Sequence, residues 1–215
     1  MTVFYFIMEF LCGSLMFSYW LGLAAKKDLR KVGDGNPGAF NLWLAAGFKL
    51  GLLGVLLDFL KGYFPLVVLV QRQLIADLSI AAVAFAPILG HAFSPFLKGR
   101  GGKAIAVSFG VWSAVTQFRV SLVYAVILAI LYVIARMVYR GESTPTETDG
   151  FMVVFGMWML GFYLFVRAFP YYLLLLWLEN SLLMTYRNKA KLQVFFRDIY
   201  NKYWNRDTTN TTIGM

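Results

Sequence analysis

Arg30-Lys31-Val32-Gly33-Asp34-Gly35-Asn36-Pro37-Gly38-Ala39-Phe40-Asn41 lies between two long apolar segments, and a second glycine-rich segment, Gly99-Arg100-Gly101-Gly102-Lys103, follows a further apolar run. Glycine lets backbone amides turn inward and approach a ligand closely, and a nest of amides beside a Lys or Arg suits phosphate. Two such loops at the ends of apolar spans point to chemistry on phosphorylated, lipid-related molecules at a bilayer surface. Asp34 and Phe40 cut across this pattern, because they put a carboxylate and a ring where a phosphate site calls for donors.

Outward from the loops, the chain is 60% hydrophobic, 18% aromatic and 14% charged, whereas soluble domains are about 25% charged. A membrane-crossing helix needs about 20 mainly apolar residues. The segments that qualify are Thr2–Ala25, Leu50–Val70, Leu74–Leu89, Ala104–Phe118, Val120–Val138, Phe151–Ala168 and Pro170–Tyr186. Only Arg119 divides the fourth from the fifth. The expected fold is all-α: a polytopic membrane protein of seven transmembrane helices with glycine-rich cytoplasmic loops. It forms one domain over residues 1–191, with a polar, basic cytoplasmic tail over 192–215 that suits an interfacial helix. Glu142 to Asp149 reads as a polar linker.

Charge sets the orientation. With Glu9 and the N-terminus outside, one set of alternate loops carries sixteen cations, among them Lys26, Lys27, Arg30, Lys31, Arg100, Lys103, Arg187, Lys191 and Arg206. The other side has three, Arg72, Arg119 and Arg167, and Lys61 lies mid-span. This positive-inside bias predicts both glycine loops and the C-terminus in the cytoplasm, with the protein in the inner (plasma) membrane. The net charge of +9 is then mainly topological. It suits anionic lipid headgroups, and no nucleic-acid module is present. The basic cluster follows the first apolar run instead of preceding it, which reads as an anchor and not a cleaved signal. Cys12 is the only cysteine, which excludes an intramolecular disulfide and a multi-cysteine zinc site. Asn210-Thr211-Thr212 matches a glycosylation sequon but falls on the cytoplasmic side.

Within the loops, Lys103 closes a Gly-Gly-Lys segment at an expected helix start, where backbone donors and the helix dipole favour anions. Gly33, Gly35 and Gly38 either contact a ligand or permit a re-entrant turn. Asn36 and Asn41 either bind or cap the next helix, and Arg30 and Lys31 contact a ligand or set topology. His91 is the only histidine, so any imidazole base is this residue; its other role is to orient the loop by a hydrogen bond. A His-x4-Asp acyltransferase pattern is absent, since position 96 is Phe. Asp58 and Lys61 lie three apart on one helix face, and intramembrane charges are usually paired, so an ion pair is expected.

Gly13-Ser14, the Arg30–Asn41 loop, Leu57-Asp58-Phe59-Leu60-Lys61-Gly62, Leu89-Gly90-His91, Phe93, Phe96 and Gly101-Gly102-Lys103 occur in this order over roughly the first half of the chain. In this the chain resembles the bacterial acyl-phosphate:glycerol-3-phosphate acyltransferase (PlsY) family, small seven-span enzymes of phospholipid synthesis. The resemblance implies transfer of an acyl group from acyl-phosphate to the 1-hydroxyl of glycerol-3-phosphate, giving lysophosphatidate. It implies no metal, cofactor or acyl-CoA, loops that bind the two phosphates, and a substrate phosphate that assists proton removal. On this reading catalysis rests on Lys103, His91 and Asp34, and substrate binding on Ser14, Arg30, Gly33, Gly35, Asn36, Gly38, Asn41, Arg100, Gly101 and Gly102. The partners are the two substrates and membrane lipids.

The chain departs from the family pattern at several positions. Asp34, Phe40 and Leu44 stand where a Ser, a Thr and an Arg are usual, and Asn188 and Lys191 stand at a His and an Asn. Ser94, Arg100, Ala104 and Val107 replace a Pro, a Lys, a Gly and a Thr, and for the family's later serine motif only Ser143 is a candidate. An ionised Asp beside a phosphate dianion is repulsive by roughly 1–4 kcal/mol at 4 Å. These changes leave two classes of function: an acyltransferase, with altered acceptor handling or with Asp34 as base, and an inactive homologue acting as a binding or scaffold subunit. A transporter is disfavoured, because the loops predict a closed surface site.

Overall fold

A computed structural model describes residues 1–203. Among them are nine α-helices, two short 3-10 turns and no strand. The first expected span is two helices, α1 (Thr2–Ser14) and α2 (Phe17–Ala24), separated by an extended Leu15. A 3-10 turn, Leu29–Lys31, leads into the first glycine loop. Then come α3 (Ala39–Ala46) and α4 (Phe48–Gln71), divided by Gly47 at φ +86°. Helix α5 (Leu78–Ala92) and a turn at Pro95–Leu97 precede the second glycine loop. Helices α6 (Ile105–Thr116) and α7 (Arg119–Val138) are split by the consecutive left-handed residues Gln117 and Phe118, so Arg119 begins α7 and does not itself form the break.

Helix α8 (Thr146–Val166) starts inside the expected linker. Glu147 and Asp149 lie in its first turn, where the helix dipole favours acids. Helix α9 (Tyr171–Tyr203) runs unbroken past Lys191. Arg206 and the Asn210 sequon lie outside the described residues.

Among the described residues, five segments are long and apolar enough to cross a bilayer: residues 2–24 across α1 and α2, α4, α5 with its following turn, α7 and α8. Helix α6 has only 12 residues, and the apolar half of α9 carries Glu179, Asn180 and Ser181. On length and apolarity, the expected seven therefore stand at five.

The main core is built where α4 to α9 meet, around the fully buried Leu66, Trp112, Tyr124, Met157, Leu160, Leu164, Leu176 and Met184. Leu122, Val126, Ile130, Val133 and Met137 form an exposed apolar stripe on α7, a surface that lipid suits and water does not. Glycines bring two helix pairs into close contact, as in membrane helix packing. A Cβ on Gly13 or Gly90 would strike the α5 or α1 backbone at 2.1 Å, and one on Gly110 would strike Phe59 O of α4 at 2.2 Å. A smaller cluster of Met16, Tyr19, Leu29 and Leu42 seats the first loop against α2 and α3.

Candidate active site

The first glycine loop is tied together by one side chain. Asn41 Nδ2 donates to Val32 O (2.7 Å), Asn36 O (2.9 Å) and Asp34 Oδ1 (3.0 Å). Gly33 (φ +55°) and Gly35 (φ +71°) supply the left-handed backbone that lets the chain curl around this amide. Asp34 Oδ1 also accepts from Asn36 N at 3.2 Å, an Asx turn that fixes the carboxylate. Its other oxygen, Oδ2, accepts from Lys103 Nζ at 2.6 Å and pairs with Lys191 Nζ at 2.9 Å. Burial alone would raise the Asp34 carboxyl, but hydrogen bonds and charge from Lys103 and Lys191 outweigh it and hold the group well below the usual carboxylate range. A carboxylate so stabilised is a weak base, which removes the physical ground for Asp34 as proton acceptor. Burial also pushes the Lys103 ammonium down to about 8; Asp34 opposes this and Lys191 adds to it.

Beneath the second loop lies a buried polar network. Lys61 Nζ pairs with Asp58 Oδ1 (2.8 Å), contacts His91 Nδ1 (2.8 Å) and donates to Leu15 O, the carbonyl freed where α1 stops. Ser18 Oγ donates to Asp58 Oδ2 at 2.6 Å. The expected Asp58–Lys61 pair is therefore present. A neutral imidazole that accepts at Nδ1 keeps its proton on Nε2. That nitrogen faces Gly102, where a Cβ would lie 2.2 Å from it. His91 is thus engaged by Lys61 at Nδ1 and packed on Gly102 at its other edge, an arrangement that orients the loop.

The Gly101-Gly102 pair also has a packing explanation. Gly101 presses on the His91 carbonyl and Gly102 on its ring. The amides of Gly99, Arg100 and Gly102 donate to Ser94 O, Leu97 O and His91 O, so they do not form the phosphate nest expected of them. Arg187, from α9, donates to the carbonyls of both Gly101 and Gly102 and lies over the Phe93 ring at 5.7 Å.

Two adjoining cavities meet at Lys103. One, about 190 Å³, is walled by Asp34, Asn36, Phe40, Asp149, Asn188 and Lys191 with Lys103. The other, about 300 Å³, is largely apolar, lined by Ala39, Val55, Ala106 and Phe109, with Gly38, Asp58, His91 and Lys103 at its polar end. Of the expected contacts, Gly33, Gly35, Asn41, Gly101 and Gly102 shape the loops without lining either cavity, and Ser14, Arg30 and Arg100 are also absent from the lining. Ser14 is buried and its hydroxyl is spent on Phe10 O at 2.7 Å. Arg30 is exposed, held by Asp28 and stacked over Tyr19, and Arg100 is exposed. Residues not singled out as site members were Lys191, Arg187, Asn188 and Asp149. The available signal was the register of Arg187-Asn188-x-x-Lys191 with the family's C-terminal pattern.

The fold and site define a helical integral-membrane protein with a small charged cavity, lined by Lys103, Lys191, Asp34 and Asp149, next to an apolar one. The chain belongs to the glycerol-3-phosphate acyltransferase family, whose model matches residues 3–197. It is 36% identical to glycerol-3-phosphate acyltransferase 1 of Thermotoga maritima, over 93% of this chain and 100% of that protein. It is 31% identical to the Aquifex aeolicus glycerol-3-phosphate acyltransferase, over 89% and 93%. Among solved structures it resembles the glycerol 3-phosphate form of PlsY (YgiH), described as an integral membrane glycerol 3-phosphate acyltransferase. The TM-score is 0.80 at 28% identity, covering 92% of each chain. The lysophosphatidic acid form matches with a TM-score of 0.78 at 26% identity.

Proposed function

We propose that this protein transfers an acyl group from acyl-phosphate to glycerol-3-phosphate in the inner membrane. The proposed topology has seven passes, with the N-terminus outside and the loops cytoplasmic. The observation that carries this reading is the position of Lys103 on the wall shared by a small charged cavity and a larger apolar one. The first suits a glycerol phosphate and the second an acyl chain, so the reacting atoms meet beside the ammonium.

The acceptor hydroxyl oxygen attacks the acyl carbonyl carbon, the carbon–oxygen bond to phosphate breaks, and the hydroxyl proton leaves on the departing phosphate. No side-chain base is needed, which agrees with the pairing of Asp34 to two lysines. Lys103 neutralises charge on the phosphates, an electrostatic role that commonly supplies several kcal/mol. The inactive-scaffold alternative is less well supported. The relatives are named acyltransferases, and an added carboxylate that two lysines neutralise is a poor sign of a decayed site.

The test is the purified protein in detergent with palmitoyl-phosphate and glycerol-3-phosphate. Lysophosphatidate should form, and it should fall at least tenfold with Lys103→Ala. No product from well-folded protein would refute the acyltransferase reading.

A further inference from the structure

We propose that Lys191 is a second phosphate-binding residue of this site and that Asp34 is its built-in counterion. The carboxylate fills, between Lys103 and Lys191, the position that a substrate phosphate takes on binding. This rests on the acyltransferase reading and extends it to two residues that differ from the family pattern.

Three observations converge. Lys103 and Lys191, 88 positions apart in sequence, reach the same atom, Asp34 Oδ2, at 2.6 and 2.9 Å. Two ammonium groups this close repel unless an anion lies between them, and a phosphate has more oxygens than a carboxylate with which to bridge them. The second observation is that Lys191 is built into the wall. Its stem lies against Gly150 of α8, where a Cβ would come within 2.8 Å of Lys191 Cδ, and both residues line the 190 Å³ cavity. The third is that the charges balance as a pair. One Asp34 oxygen faces both ammonium groups, so the carboxylate offsets one of the two positive charges and leaves the other. Asp34 alone would repel phosphate. Lys191 offsets that charge and provides a cation for the ligand once the carboxylate is displaced. Asp149, on the same wall, is held by Thr144 Oγ1 at 2.6 Å. It is the remaining anion that the ligand faces there.

The experiment compares wild type, Lys191→Asn, Lys191→Arg, Asp34→Ser and the double variant Asp34→Ser/Lys191→Asn. It reads the affinity for inorganic phosphate without turnover, and kcat and KM for glycerol-3-phosphate. Lys191→Asn should weaken phosphate binding and raise KM by about tenfold while kcat stays within about twofold, and Lys191→Arg should retain wild-type values. Asp34→Ser should bind phosphate several-fold more tightly, and the double variant should return close to wild type. If Lys191→Asn does not fold, Lys191→Gln takes its place. Unchanged phosphate affinity in a monodisperse Lys191 variant, or weaker binding in Asp34→Ser, overturns the proposal. So does a double variant no better than Lys191→Asn. If wild type binds phosphate with this pattern yet makes no lysophosphatidate, the acyltransferase reading fails while the paired anion site stands.

Discussion

At the residue scale, the protonation of Lys103 decides what the junction of the two cavities attracts. Its ammonium is pushed down to about 8. The cation is therefore present below pH 8 and is lost as pH rises through that value, so phosphate binding should weaken from pH 7 to 9. Phosphomonoesters have a second pKa near 6, so the ligand's own charge is steady across that range. The polar groups that share a cavity wall with Lys103 are Asp34, Asn36, Lys191, Asn188, Asp149, Asp58 and His91. Titrating glycerol-3-phosphate affinity in wild type and Lys103→Arg checks this, since arginine should flatten the profile. Gly102→Ala should lower stability by about 1–3 kcal/mol in thermal unfolding, the range for overpacking, because Lys61 holds the opposing His91 ring in place. The Asp58–Lys61 pair was legible in the sequence, since both partners sit on one helix three residues apart. Lys191 was not: its partner is 157 positions away, and its neighbours read as the start of a basic tail.

At the level of elements, α9 spans both the core and the site. It contributes Leu176 and Met184 to the core, Arg187 to the second loop and Lys191 to the anion cluster. Arg187→Ala removes two charge-assisted hydrogen bonds to the Gly101 and Gly102 carbonyls, each worth about 1.5–3 kcal/mol. It should cut kcat/KM at least tenfold and make the 99–103 segment more sensitive to protease, while the helical circular dichroism signal is retained. The break between α1 and α2 shows where the sequence pattern runs out. No proline marks Leu15, and the hydropathy is continuous. What supports the freed Leu15 carbonyl is Lys61, a contact that no local window contains. The tail after Lys191 reads as a helix in the sequence, but its continuity with α9 was hidden for a similar reason: it packs against α8 through Phe151 and Phe195, stacked at 4.3 Å.

At the level of the whole molecule, the proposed topology places both glycine loops on one side. A reporter after Gly99 should give a cytoplasmic signal and one after Gln73 an external signal; the reverse would remove the argument that the site faces cytoplasmic substrates. The division into two cavities also bears on how the substrates treat each other. Glycerol-3-phosphate and acyl-phosphate each bring about two negative charges to a wall whose two lysines are offset by Asp34 and Asp149. Whichever arrives first spends the positive potential that the other needs, and by thermodynamic reciprocity the penalty is mutual. The two substrates are then antagonists as well as reactants. Saturation with either should raise the KM of the other by one and the same factor, while the maximal rate is unchanged.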